Sequence, residues 1–400
     1  MFKQIRNKWD YLLFLHLFYP ISIIILQYFI PNLYQNGDFL TFYYSVRNFF
    51  SDISKLYVVT DYAPFRYFPI STIFYSYLLL FNEFIGYIFT IIIILIGNLC
   101  LRKIALKIAD EIFILSSEQI NTLKKMMFVI FMLPFNFDIY FNGQNTTLSL
   151  VFLLISYYFF KKVEGRSIQN NIMGSFFISC SILLKPFFII ILPFLLKVEI
   201  RKYKVKIELV SLFRYFFVIV MFLINLTIFI LNTALLNDFI RIFSMYVFFE
   251  SSQSLTNILF LTGLNPQFIF FSVLIIIYSI LIINYLINGN KIDLFYFFGI
   301  SIIIIMVSWP QTWPLYSILF LFFLSLIALK SSKDKGQNHY FQTFWLYILL
   351  NILNYIIVSI LILIQMAQGG IHLHIVASLS FLLSYIYFTF NSRKYKTIVK

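Results

Sequence analysis

Charge is scarce in this chain. Asp, Glu, Lys and Arg make up 12% of its 400 residues, against 61% hydrophobic residues and a mean hydropathy of +0.89. So little polar surface cannot cover a water-soluble globule, which excludes a soluble enzyme or a soluble binding module. Cysteine is nearly absent. Cys100 and Cys180 both sit inside apolar runs, so neither a disulfide framework nor a thiolate metal site is supported. No Ser/His/Asp arrangement, Walker loop or CxxC occurs, and there is neither an internal repeat nor a stretch hydrophilic enough for a separate soluble domain.

What the chain has instead is a succession of apolar runs, which read as an all-α, polytopic transmembrane protein forming a single domain over 1–400. The first run, Leu12 to Ile30, lacks a small-residue cleavage site and is followed by many more, so it reads as a span rather than a signal peptide. The net charge is +14. Its distribution points to topology and anionic lipid rather than nucleic acid, because basic residues gather in cytoplasmic loops. All Lys and Arg fall in clusters at Lys3 to Lys8, Arg102 to Lys125, Lys161 to Arg166, Lys197 to Arg214, Lys291, Lys330 to Lys335 and Arg393 to Lys400, except Arg47, Lys55, Arg66, Lys185 and Arg241. With those clusters inside, the chain makes about twelve passes with both termini cytoplasmic. They fall at 12–30, 67–101, 126–141, 145–160, 169–184, 186–196, 211–232, 267–287, 294–308, 314–329, 343–365 and 371–390.

Several of these runs are short. At about 1.5 Å per residue, 12 to 16 residues reach roughly 18 to 24 Å, less than a hydrocarbon core of about 30 Å. Pairs joined by NGQN (142–145), by Lys185-Pro186 and by WPQTWP (309–314) therefore turn below the outer surface, around a recess opening outward. The run 67–101 is too long for one straight helix and carries Asn82 and Glu83 in its middle, which predicts a short re-entrant piece followed by a full span. Long outer connections are expected at 31–66 and 233–266.

Polar residues that the membrane does not explain are the candidates for chemistry. Asp38 follows the first span, where a carboxylate facing a partly desolvated recess can act as general base; Asn36-Gly37-Asp38 also reads as a plain turn. Asp52 and Asp61 read as solvated loop residues. Lys185 interrupts SILLKPFFIIILPF, at a cost of about 2.5 to 3.5 kcal/mol for a lysine near mid-membrane, so it either snorkels or holds an anion such as phosphate. Arg66 is a second cation on the same outer side, with a lipid headgroup as its other partner. Asn142, Gly143, Gln144 and Asn145 form an amide-rich tip suited to sugar hydroxyls, or a simple hairpin turn. Glu250 stands beside Ser251, Gln253, Ser254 and Asn257; Trp309 and Trp313 are belt aromatics or pocket walls; His372 and His374 lack a third metal ligand.

The order of these motifs resembles glycosyltransferase family 87, membrane enzymes of the GT-C class that use polyprenyl-phosphate sugars, often mannose. The resemblance rests on GDFLTFYYS (37–45) with Tyr57 after it, FRYFP (65–69), NGQNTTLSL (142–150), GSFFISCSILLKPFFIIILPF (174–194), ESSQSLTNIL (250–259) and SWPQTWPLY (308–316), and spans residues 10 to 330. It implies a GT-C-type helical fold with its site on the external face of the cell membrane. Within that site it implies Asp38 as the catalytic residue, Lys185 at the donor phosphate and Gln144 in the pocket; Arg66, the second cation on that side, is expected to assist Lys185. Asn142, Tyr67, Glu250, Gln253, Trp313 and Tyr316 are expected to line the same pocket. The implied partners are a polyprenyl- or dolichyl-phosphate sugar, a glycan or glycolipid acceptor and the bilayer, with no nucleic acid, no cofactor and no supported divalent metal. One departure from the family matters: where its members commonly show Trp-x-His-Tyr, this chain has Trp313-Pro314-Leu315-Tyr316, so Leu315 supplies no imidazole. A transporter or flippase of lipid-linked sugars is the other reading of a charged recess.

Overall fold

The computed structural model describes residues 16–30, 38–57, 65–162, 167–201, 204–244, 265–288, 293–308, 316–335, 341–349, 351–353 and 356. These residues are helical almost throughout. Two helical stretches, Glu83–Ile112 and Leu209–Leu231, are long and apolar enough to cross a membrane, and many shorter apolar helices accompany them. Contacts divide the chain into two compact units, Met1–Pro186 with Arg214–Met245, and Phe187–Phe213 with Tyr246–Lys400.

The first unit opens with α1 (Phe18–Phe29) and α2 (Phe39–Ser51). A helix therefore occupies much of the segment expected to be an outer loop, with Phe39, Phe42, Tyr43 and Val46 buried along it. Asp52 ends this segment as a local cap, accepting from Ser54 N at 3.2 Å and pairing with Lys55 at 3.2 Å; Asp61 lies outside the described residues.

The run 67–101 is divided where its polar residues fall. A 3₁₀ segment, Pro69–Leu80, stops before Asn82, whose side chain caps α3 (Glu83–Lys107) by accepting from Ile85 N at 2.9 Å. Both ends of the 3₁₀ segment are tied down. Asn225 Oδ1 accepts from Ile70 N at 3.1 Å, while Tyr43 and Arg47 of α2 donate to Phe81 O at 3.1 and 2.8 Å.

The basic stretch expected as a loop at 102–125 is largely helical. A π turn (Ile108–Ile112) prolongs α3, and α4 (Ser117–Met132) starts at a reciprocal cap in which Gln119 N donates to Ser116 Oγ and Ser116 N to Gln119 Oε1. The expected single pass 126–141 is instead two helices. Pro134 cannot donate to the ladder, so α4 ends at Met132 and a seven-residue α5 (Phe135–Phe141) follows. Asn136 Nδ2 takes up the freed carbonyl of Ile130 at 2.7 Å.

Next come α6 (Thr146–Lys161) and α7 (Ile168–Leu184), packed antiparallel. Ser181 Oγ donates to Ser149 O at 2.8 Å, and Gly174 lies so near Phe160 that an added Cβ would stand 2.3 Å from its ring. The expected pass 211–232 is a 3₁₀ turn (Leu209–Tyr215), of which only Arg214 and Tyr215 belong to this unit, leading into α8 (Phe216–Leu231), and α9 (Thr233–Ser244) follows it.

The second unit holds a 3₁₀ segment (Pro186–Leu195, from Phe187 onward), α10 (Pro266–Asn288), α11 (Leu294–Ser308) and α12 (Ser317–Lys335). Phe194 stacks on Phe297 at 5.1 Å, and Asp293 binds both Phe295 N at 2.8 Å and Lys330 Nζ at 3.2 Å. A β-hairpin also occurs where a charged loop was expected: β1 (Val198–Arg201) pairs with β2 (Lys204–Ile207), Val198 opposite Ile207. Its sequence alternates apolar and charged residues, the period of a strand, and a Lys197–Glu208 ion pair at 2.7 Å closes its base.

Candidate active site

Three helix ends of the first unit supply the site, and each has a local reason for its shape. α5 ends in a Schellman turn: Gln144 N donates to Ile139 O at 2.9 Å and Gly143 N to Tyr140 O at 3.1 Å. This turn needs a left-handed residue at Gly143, whose φ is +63°, and glycine adopts it without strain. Gly143 also passes so close to α2 that a Cβ there would lie 3.0 Å from Cβ of Phe39. The turn thereby lays Gln144 against the start of α2, where Asp38 stands.

The second end is that of α7. Pro186 has no N–H and pushes the residue before it out of the helical region, so Lys185 leaves α7 in extended geometry (φ −144°, ψ 93°). Its side chain is only 2% exposed. The third end is the N-terminus of α2, where Asp38 holds the capping position without capping: its side chain makes no bond to the helix.

These side chains meet at one amide. Gln144 Nε2 donates to Asp38 Oδ2, and Gln144 Oε1 accepts from Lys185 Nζ at 2.8 Å. The two partners fix the amide's orientation, since a flipped group would face carboxylate with carbonyl and ammonium with N–H. Tyr67 completes this wall, with Lys185 Nζ 5.9 Å from its ring centroid. Although Asp38 as a residue is only partly buried, its carboxylate is enclosed by these neighbours, and that burial raises its pKa above the ordinary carboxylate value. The Lys185 charge, the Gln144 hydrogen bond and the Arg66 charge oppose the rise without cancelling it.

Behind this cluster, Asn145 Nδ2 donates to Leu184 O at 3.1 Å and to the hydroxyl of Tyr75. Phe42 stacks on Tyr75, with centroids 4.4 Å apart and planes within 4°, and meets Tyr67 at 5.6 Å. Tyr57 OH donates to Tyr67 O at 2.7 Å. Three buried acceptors at the start of α6, Asn145 Oδ1, Thr146 Oγ1 and Thr147 Oγ1, have no hydrogen-bond partner, so the polar capacity of this corner exceeds its own use.

Of the residues singled out from the sequence, the structure thus gathers Asp38, Gln144, Lys185, Tyr67 and Arg66 into one neighbourhood. Asn142 is adjacent, yet its Nδ2 bonds back to Asp138 O of its own helix at 2.9 Å. Tyr316 belongs to the second unit, where its ring meets Phe187 at 5.6 Å. Glu250, Gln253, Trp313, Leu315, His372 and His374 lie outside the described residues. Sequence reading missed Phe42 and Tyr75. Phe42 stands one helical turn after Asp38, a spacing that could have pointed to it; Tyr75 had no such signal. Among the described residues, no three His, Cys, Asp or Glu side chains gather as metal ligands would. No family model matches the chain, and no curated protein matches it.

Proposed function

We propose that this protein is an integral membrane glycosyltransferase that moves a hexose, in the first instance mannose, from a polyprenyl- or dolichyl-phosphate donor to a glycan or glycolipid acceptor on the outer face of the membrane. Asp38 takes the proton of an acceptor hydroxyl as that oxygen forms a bond to the anomeric carbon, inverting it. The bond from that carbon to the phosphate oxygen breaks, and the lipid phosphate leaves with the electron pair. Lys185, assisted by Arg66, stabilises the negative charge that builds on the departing phosphate. Phe42 and Tyr75, buried and stacked on each other, back the ring of Tyr67, which is the partly exposed aromatic available to a sugar ring.

The observation that carries this reading is the convergence of Asp38 and Lys185 on the two ends of the Gln144 amide, from positions far apart in sequence. A raised carboxylate pKa is what a general base requires, because basicity grows with it.

The test is transfer of mannose from synthetic polyprenyl-phosphate mannose to a panel of glycan and glycolipid acceptors by the purified full-length protein in lipid nanodiscs. Asp38→Asn is expected to lower turnover by about 10²- to 10⁴-fold. Lys185→Met should weaken donor use as well as turnover. Undiminished transfer by a folded Asp38→Asn protein refutes the general-base assignment, and movement of lipid-linked sugar across the bilayer without any transfer product establishes a flippase instead.

A further inference from the structure

Gln144 takes its catalytic meaning from the function proposed above, though the test of its role does not depend on that function. A carboxylate and an ammonium enclosed together attract strongly, and in a poorly solvated site the favoured arrangement is a direct ion pair. Such a pair would disable both groups for the chemistry described. A carboxylate clasped by an ammonium is a weak base, and an ammonium clasped by a carboxylate has little attraction left for a phosphate.

We propose that Gln144 is a spacer, a positioning residue whose primary amide holds Asp38 and Lys185 apart while satisfying both. The amide is well built for this. Its N–H end answers the carboxylate and its carbonyl end the ammonium, so each charge keeps a hydrogen bond and neither is neutralised. Its backbone cannot drift, because the Schellman turn and the close approach of Gly143 to Phe39 hold it. Its neighbour Asn145 fixes the opposite bank by binding Leu184 O, the carbonyl next to Lys185. Glutamine, rather than a charged or shorter residue, is what spans two opposite charges without cancelling either.

Two roles of Gln144 predict opposite signs for one measurable quantity. If the side chain only donates a hydrogen bond to Asp38, removing it takes away a contact that favours the ionised form, and the Asp38 pKa rises. If it is a spacer, removing it lets Lys185 close on Asp38, and the pKa falls. Among the described residues, the charged and titratable groups that face Asp38 are Lys185 from the end of α7, Arg66 from the stretch before Pro69, and Tyr75 from within the 3₁₀ segment; all are retained in the variants.

The protonation midpoint of Asp38 can be followed by pH-dependent infrared difference spectroscopy of the full-length protein in nanodiscs, with the carboxyl band assigned by its loss in Asp38→Asn. In Gln144→Ala the midpoint is expected to fall by roughly 1 pH unit or more. In Gln144→Met, which keeps the length and loses the amide, it is expected to rise. Should Gln144→Ala fail to fold, Gln144→Ser shortens the side chain in the same way and carries the same expectation. A midpoint that stays in place or rises in the shortened variant overturns the spacer. None of these spectra requires a sugar, so wild-type protein that transfers no mannose would overturn the enzymatic reading and leave the spacer result standing on its own.

Discussion

Asn145 donates from Nδ2 to the carbonyl oxygen of Leu184 at 3.1 Å, so the residue after Gln144 holds the residue before Lys185. Two neighbouring cross-links, 144 to 185 and 145 to 184, therefore join the start of α6 to the end of α7. Asn145→Ala removes one of them and leaves the Leu184 carbonyl and the Tyr75 hydroxyl to find new partners. The expected loss of stability is about 1 to 3 kcal/mol, read as a lower unfolding temperature. Sugar transfer should fall at the same time, because Lys185 loses the anchor of its backbone.

Gly143→Ala is expected to be more damaging than its size implies. The residue must hold a φ of +63°, and its new Cβ would meet Phe39 Cβ at 3.0 Å. The left-handed conformation alone costs a non-glycine residue about 1 to 2 kcal/mol. Relief by moving the turn away from α2 separates Gln144 from Asp38. Thermal unfolding gives the first effect, and the Asp38 carboxyl band gives the second.

Far from the candidate site, Gly174→Ala tests the packing of α6 on α7. Its Cβ would lie 2.3 Å from the Phe160 ring, whose face also carries the Arg214 guanidinium at 5.1 Å. Overpacking of this kind costs about 1 to 3 kcal/mol. Thermal unfolding should register that loss, while the midpoint of Asp38 should stay where it is in the parent protein.

The raised pKa of Asp38 gives two pH dependences of different form. The base works ionised, so kcat/KM should climb with pH to a plateau, with a midpoint above the ordinary aspartate value of about 3.9. Stability runs the other way. A group whose folded pKa exceeds its unfolded value contributes fully below the unfolded value, and that contribution is lost as pH rises through the folded pKa. Unfolding temperatures of the parent protein should therefore drop relative to those of Asp38→Asn across that window. Parallel curves for the two proteins would contradict the assignment.

Much of the site's framework was legible because it lies at chain breaks, and breaks are written in the residues that cause them. Lys185-Pro186 announces the end of α7, and Asn82-Glu83 announces the start of α3. Gly143 in NGQN marks a turn. Pro134 carried the same kind of signal inside FMLPFNF, yet the apolar residues on both sides hid the break between α4 and α5. The hairpin at 198–207 was overlooked because its lysines placed it among the basic loops, although the alternation of VEIR and KVKI has the strand period. What no local pattern could disclose was the pairing across the fold. That Phe42 stacks on Tyr75, or that a single amide serves both Asp38 and Lys185, depends on tertiary contacts.

The 3₁₀ winding of Pro69–Leu80 makes this segment a brace. Wound as it is, at about 2.0 Å per residue, twelve residues reach about 24 Å, whereas the same residues as α-helix would reach about 18 Å. One end is moored to Asn225 through Ile70, and the other to Tyr43 and Arg47 through Phe81. An α-helical winding of the same residues would fall about 6 Å short of that reach, so the longer pitch is what lets twelve residues bridge Asn225 and the helix that starts behind Asp38.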